Sequence, residues 1–394
     1  MTSGATLPLR RARLRRPGRL GTALIAVAIA LVVIVASLAL YYSYAGGCAG
    51  AGESGNPGEP TITIYTYSSL LGGPCCTSGT PAAGVFSNFS SEYHARVQVD
   101  CLSGNLVSTL YEQRNNPAAD LVIGLDEITA PQAEALGLLQ PYSDPADLAH
   151  INSSLVAAIS TDGEVIPYEY GYLAIDYTNA FYNATGGAVA NSTFADFAAN
   201  ASWARQLVYE DPTTSITGEE FLAWEVLYYE SVLHENWTTF WSKVLPYATA
   251  APDWSTAFDE FGAPYSMVVS YTTDPAYATY YGQGGTFNST VTSDNGTLYG
   301  WKTIYGIGIV KGSGHVALDN EFIHYFLSGS VQGQLPLTEW EYPANETVVL
   351  PPVYAQADLI PPSSIHALNS ALTPNELATN MTGWLATWES LASA

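Results

Sequence analysis

Residues 206–233 read QLVYEDPTTSITGEEFLAWEVLYYESVL. The opening QLVY is a short apolar run of the size of a buried strand. Asp211-Pro212-Thr213-Thr214-Ser215-Ile216-Thr217-Gly218 reads as the turn that follows it. From 218 to 233, Phe221, Trp224, Tyr228 and Val232 recur every three or four residues. That spacing predicts a helix with one apolar face. A strand passing through a short turn into a helix is the unit of α/β folds.

The alternation extends in both directions. Further strands are predicted at 61–66, 96–101, 120–124, 172–177, 266–271 and 304–311, and helices at 105–114, 237–244, 254–261, 319–328 and 374–392. The last helix carries its own start signal. Thr373 caps it, Pro374 takes its first position, and Glu376 completes a capping box. The body from 61 to 394 is too long for one simple core and predicts two α/β lobes with largely parallel sheets. In such sheets ligands bind beyond the carboxyl ends of the strands.

The chain before the body is of another kind. Six arginines lie in the first 20 residues, and no acid precedes Glu53. Residues 1–50 therefore carry +6 of a net −24, and the remainder carries −30. With six basic residues left, the body lacks the Lys/Arg surface that nucleic acid requires. Residues 1–21 read as a basic cytoplasmic segment and 22–44 as a transmembrane anchor or signal segment. Ala45-Gly46-Gly47-Cys48 resembles a lipoprotein cleavage box, with Cys48 as the acylated residue. Residues 45–60 are a Gly-rich linker. Either form of attachment tethers the body to the outer face of the cytoplasmic membrane.

Three features agree with an exterior location. Ten N-x-S/T sequons occur, at Asn88, Asn152, Asn183, Asn191, Asn200, Asn236, Asn288, Asn295, Asn345 and Asn380, and predict glycosylated surface loops. Cys101 is placed to pair with Cys75 or Cys76 in an oxidising compartment. Charged residues are only 12% while tyrosines number 27, which suits an acidic exterior where carboxylates are partly protonated.

No G-x-S-x-G elbow, H-E-x-x-H, P-loop or dinucleotide fingerprint appears. Binding without covalent chemistry or a cofactor is the expectation. Aromatic residues collect at strand ends: Tyr65 to Ser69, Tyr168 to Tyr172, Trp254, and Tyr271 to Tyr277. Such rings stack on flat or cationic ligands, or simply fill core and rim. At Asp211 to Gly218 the helix start offers an anion site. Ordinary capping by Ser215 or Thr217 explains it at least as well.

At these motifs the sequence resembles the thiamine-binding periplasmic proteins, the substrate-binding subunits of ABC thiamine importers. The resemblance runs from about Thr61 to the C-terminus. It is carried by Tyr65-Thr66-Tyr67, Ala119 to Asp126, Ile166 to Tyr172, Tyr209 to Gly218 and Trp340-Glu341-Tyr342-Pro343. Its most specific element is Ser270-Tyr271-Thr272-Thr273-Asp274-Pro275-Ala276-Tyr277. It implies a type II periplasmic-binding-protein fold whose two lobes close over the ligand. Lobe I would comprise 61–167 and 273–330, and lobe II 168–272, with 331–394 packing back across both. It also implies a monomer that delivers thiamine or thiamine phosphate to an ABC permease. Tyr67, Trp254, Tyr271 and Tyr277 would surround the ligand's rings. Thr214, Ser215 and Gly218 would meet its hydroxyethyl or phosphate end, and Gly104 and Asp126 would line the cleft.

The sequence departs from the family pattern at the charges. Ser68 and Ser103 stand where the pattern has acids, and Thr213 where it has a basic residue. Asp253 and Asp274 stand where it has small residues, and are expected to restore the negative charge. Other ligands, ferric ion or a phosphorylated compound, are the first alternative. A surface glycoside hydrolase using Glu169 and Asp211 is a weaker one.

Overall fold

The computed structural model describes residues 58–67, 69–72, 80–102, 105–142 and 146–394. The expected membrane segment, Cys48, Ser68, Cys75, Cys76, Ser103 and Gly104 lie outside them. Among the described residues no helix is long and apolar enough to cross a membrane. Cys101 is disulfide-bonded.

The strands are β1 (Thr61–Thr66), β2 (Arg96–Cys101), β3 (Leu121–Leu125), β4 (Leu139–Gln140), β5 (Val165–Thr178), β6 (Leu207–Glu210), β7 (Thr249–Ala251), β8 (Met267–Tyr271), β9 (Phe287–Thr290), β10 (Ser293–Asp294), β11 (Thr297–Gly300), β12 (Lys302–Val310), β13 (Tyr342–Pro343) and β14 (Ile365–Ala367). The main sheet runs β2-β1-β3-β12-β5-β8-β6-β7. Its two ends are parallel triplets, β2-β1-β3 and β8-β6-β7. Parallel neighbours need crossover connections, and helices such as Pro81–Tyr93 and Leu106–Gln113 supply them. Between the triplets, β12 and β5 run antiparallel to their neighbours.

The 14-residue β5 joins the two halves. Its first part pairs with β12 up to Lys302↔Tyr172, and its second pairs with β8 from Leu173↔Tyr271 onward. One side of the switch belongs to a core built from Ile62, Ile64, Leu121, Ile123, Ile166 and Phe322. The other belongs to an aromatic core where Phe194 meets Phe221, Trp224, Tyr228 and Phe240 edge-on at 4.8–5.9 Å. The expected strand at 172–177 is therefore the second half of a longer one.

The expected return to the first lobe near Thr272 lies elsewhere. Val291 and Trp301 are buried in the second core, and Ile304 is the next residue in the first. The return therefore falls where β12 begins. Glu127, just after β3, holds it. Its Oε1 accepts from Trp301 Nε1 at 2.6 Å and its Oε2 from the Ile304 amide at 2.9 Å. Asn369 braces the same point, accepting from the Lys302 amide at 3.2 Å and donating to its carbonyl at 2.7 Å.

The expected amphipathic helix begins at Ile216 and is buried on nearly every side, from Thr217 through Leu227. The C-terminal helix Pro374–Ala392 explains part of this. Its Trp388 meets Trp241 of the second core at 5.8 Å and right angles. The Thr373–Glu376 capping box starts that helix as predicted.

Four of the ten sequons are turn motifs. In Asn152, Asn200, Asn236 and Asn345 the Oδ1 accepts both the amide and the hydroxyl of the Ser or Thr two residues on. The first two cap helices. Asn345 is buried and donates to the Leu327 carbonyl at 2.9 Å, so it is not a surface acceptor for glycan. N-x-S/T recurs here partly because it is a good turn.

Trp301→Phe keeps most of the ring volume and removes the indole donor from a buried carboxyl. It should cost about 1–3 kcal/mol, read as a lower urea midpoint with an unchanged slope. An unchanged midpoint would mean that the indole does not hold the crossing.

Candidate functional site

At the carboxyl end of β1 the chain turns out as Tyr67. Its ring fits because Gly124 has φ +101° and no side chain; a Cβ there would fall 2.5 Å from Tyr67 Cδ1. The phenol lies 3.0 Å from the Tyr168 hydroxyl and donates to Glu339 Oε2 at 3.0 Å. Its ring lies 6.1 Å from that of Tyr305. The Tyr305 hydroxyl is 3.2 Å from that of Tyr271, which is 3.1 Å from Thr217 Oγ1. A line of phenols thus crosses from one core to the other where β5 changes partners.

Beside it stands an aromatic wall. Trp254 stacks on Phe258 at 4.9 Å and 20°, and its Nε1 donates to Ser270 Oγ at 3.0 Å. Phe258 meets the edge of Tyr277 at 6.0 Å, and Tyr277 meets Trp340 at 5.3 Å. Trp340 has φ +61°, a left-handed conformation rare for a bulky residue. Trp254, Tyr271, Tyr277 and Trp340 all remain partly accessible.

The expected charges fall differently. Asp253 is exposed and caps the helix Trp254–Glu260, accepting from the Thr256 amide at 2.8 Å. Asp274 is buried beneath its turn, accepts from the Tyr271 amide at 3.1 Å and faces Asp176. Neither supplies an open anion, because each completes local backbone structure. Asp126 is fully buried, and its Oδ1 closes the turn to Thr129 through bonds of 2.6–2.9 Å.

Ser215 is engaged as a cap, accepting from the Gly218 amide at 3.4 Å and donating to Glu210. A Cβ at Gly218 would lie 2.5 Å from the Glu210 carbonyl, so the helix start presses directly onto the end of β6. The expected phosphate position therefore faces a buried carboxyl of the protein itself. Thr214 lies on the exposed side and donates to the Pro252 carbonyl at 3.0 Å. The two acids of the hydrolase alternative have separate tasks. Asp211 accepts from the Thr213 amide and hydroxyl at 2.8 and 2.7 Å, while buried Glu169 lies among Tyr67, Tyr168 and Glu339.

The region is lined with carboxyls that resist ionisation. Burial pushes Glu210 and Glu219 up to about 8 and Glu339 to about 7. Glu169, Glu220 and Glu341 are also pushed well up, first by burial and then by one another's neighbouring acids. The nearby base is Lys302, 5.6 Å from the Tyr172 ring, and burial lowers its own pKa. Such surroundings favour a cation and oppose a phosphate. Among the described residues no group of His, Cys, Asp and Glu is placed to hold a metal ion.

Phe258, Tyr305, Glu339 and Glu341 were not among the expected site residues. Phe258 is four residues after Trp254, the spacing that stacks side chains on a helix. Tyr305 carries no such signal, since only the pairing of β12 with β5 brings it here.

No protein-family model matches the chain. It is 26% identical over 333 residues to the thiamine-binding periplasmic protein of Brucella suis biovar 1 (strain 1330), covering 84% of this chain and 91% of that protein. Among solved structures, a periplasmic thiamin binding protein superposes with a TM-score of 0.71 at 23% identity, covering 86% of this chain and 98% of the other. Iron-bound HitA from Pseudomonas aeruginosa superposes at 0.66 with 16% identity, covering 84% and 99%. These likenesses establish the two-lobed type II periplasmic-binding-protein fold.

Because these carboxyls ionise near 4.5 when unfolded, the folded chain binds more protons than the unfolded one above that pH. Stability should be greatest at or below about pH 4.5, and lost as pH rises through about 7 for Glu339 and about 8 for Glu210 and Glu219. Melting temperatures from pH 4.5 to 8.5 will show the fall; a rise would mean that the buried acids are ionised.

Proposed function

We propose that this chain is an extracytoplasmic substrate-binding protein that captures thiamine between its two lobes and delivers it to an ABC permease. The observation that carries the reading is the aromatic wall of Trp254, Phe258, Tyr277 and Trp340, set beside the phenol line and a field of carboxyls. A thiazolium is flat and cationic, so π faces and nearby acids both favour it. The likeness to the thiamine-binding protein of Brucella suis over most of both chains supports the same choice.

The ligand is thiamine itself rather than its phosphates. The helix start that would hold a phosphate is filled by Ser215 and faces Glu210. The chain works as a monomer at the outer face of the cytoplasmic membrane, held there by segment 22–44 or by an acylated Cys48. Delivery requires that the lobes open about the switch in β5, the strand that pairs with β12 on one side of the switch and β8 on the other.

Titration calorimetry with thiamine and thiamine phosphate tests the assignment. Thiamine should bind the more tightly. Trp254→Ala should weaken thiamine binding by about tenfold or more, as expected for loss of an aromatic anchor. Unchanged affinity in that variant, or a preference for the phosphate, would sink it.

A further inference from the structure

Glu341 differs from the other acids of the site. It is 4% exposed, and neither carboxyl oxygen has a hydrogen-bond partner. Buried carboxyls elsewhere have donors: Glu127 has Trp301 and Ile304, and Glu210 has Ser215. Glu225 shares the lack but lies within the second core beside the Trp241 ring. An unsatisfied buried carboxyl costs stability, so its position calls for a function.

That position is specific. The carboxyl lies over Gly171 of β5, where an added Cβ would fall 1.7 Å from Oε2. Gly171 pairs with Thr303, and two residues later β5 changes partner from β12 to β8. Glu341 therefore sits at the joint between the cores. It directly follows Trp340 of the aromatic wall and lies within electrostatic reach of Tyr271 in the phenol line. Among the described residues every titratable group facing it is an acid or a phenol. Asp274 comes from the helix Asp274–Tyr280, Glu339 from its own segment, Glu169 and Tyr170 from β5, Tyr342 from β13, and Tyr354 from the helix Pro352–Gln356. The Tyr354 hydroxyl is engaged instead with the Pro336 carbonyl at 2.9 Å.

We propose that Glu341 is the acid that becomes the counter-anion of the ligand's positive ring, giving up its proton as the ligand is taken up. This rests on the reading of the site as one for thiamine. The balance is simple. In the free protein the carboxyl is neutral; on binding, its O–H breaks, the proton leaves to solvent, and the carboxylate meets a permanent cation. Charge in the pocket stays constant and the buried acid gains its missing partner. Selectivity follows, since a neutral ligand of similar shape offers nothing in exchange.

Calorimetry of thiamine binding at pH 6 in buffers of different ionisation enthalpy counts the protons released. The wild type should release close to one per thiamine and bind about tenfold more tightly per pH unit gained while the acid remains protonated. It should bind thiochrome, the neutral oxidation product, far less well. Glu341→Gln and Glu341→Met, checked for folding by their melting curves, should release no proton and lose at least tenfold in thiamine affinity. A wild type that binds thiamine without releasing a proton overturns the proposal without recourse to any variant. So do folded Glu341 variants with unchanged affinity and proton count. A wild type that binds no thiamine removes the ligand assignment, and this inference with it.

Discussion

One buried carboxyl holds the point on which the two halves depend. Glu127 takes the Trp301 indole on one oxygen and the Ile304 amide on the other. Between those two residues the chain leaves the aromatic core and returns to the aliphatic one. The antiparallel pairing of β12 with β5 starts there, and with it the alignment of Tyr305 against Tyr67 and Tyr271.

The chemistry of the site follows from having many buried acids and few bases. The neighbours of these carboxyls are mostly further carboxyls, phenols and hydroxyls, so each prefers to stay protonated. In such surroundings a phenol or a neutral acid serves as a hydrogen-bond donor and costs less than a charge. On this balance the fold itself, and not only its surface, is better suited to low pH.

Much of the architecture was legible locally. β1 and β2 fall on 61–66 and 96–101, and the final helix on 374–392, because short β-branched runs and a capping box are near-neighbour signals. Tyr67 and Tyr271 join the phenol line and Trp254 and Tyr277 the aromatic wall, and their places at strand ends are visible in one dimension. The charges fall differently for a physical reason. Asp253 and Asp274 stand at helix starts or turns, where the backbone claims a side-chain oxygen before a ligand can, and Ser215 is the cap that its position offered. Four of the sequons are turns of the same kind, since the Asn and hydroxyl of N-x-S/T bond to each other.

By itself the sequence determined the order of the main strands and helices, the two-lobed class and the scarcity of bases in the body. These depend on periodicity, caps and total charge, which are properties of neighbours or of sums. Only the tertiary structure decided where the chain crosses between cores, which acids are buried without a partner, and that Glu341 stands where Gly171 leaves room. Burial and the loss of solvent depend on segments far apart in the chain, and a carboxyl's character changes with them.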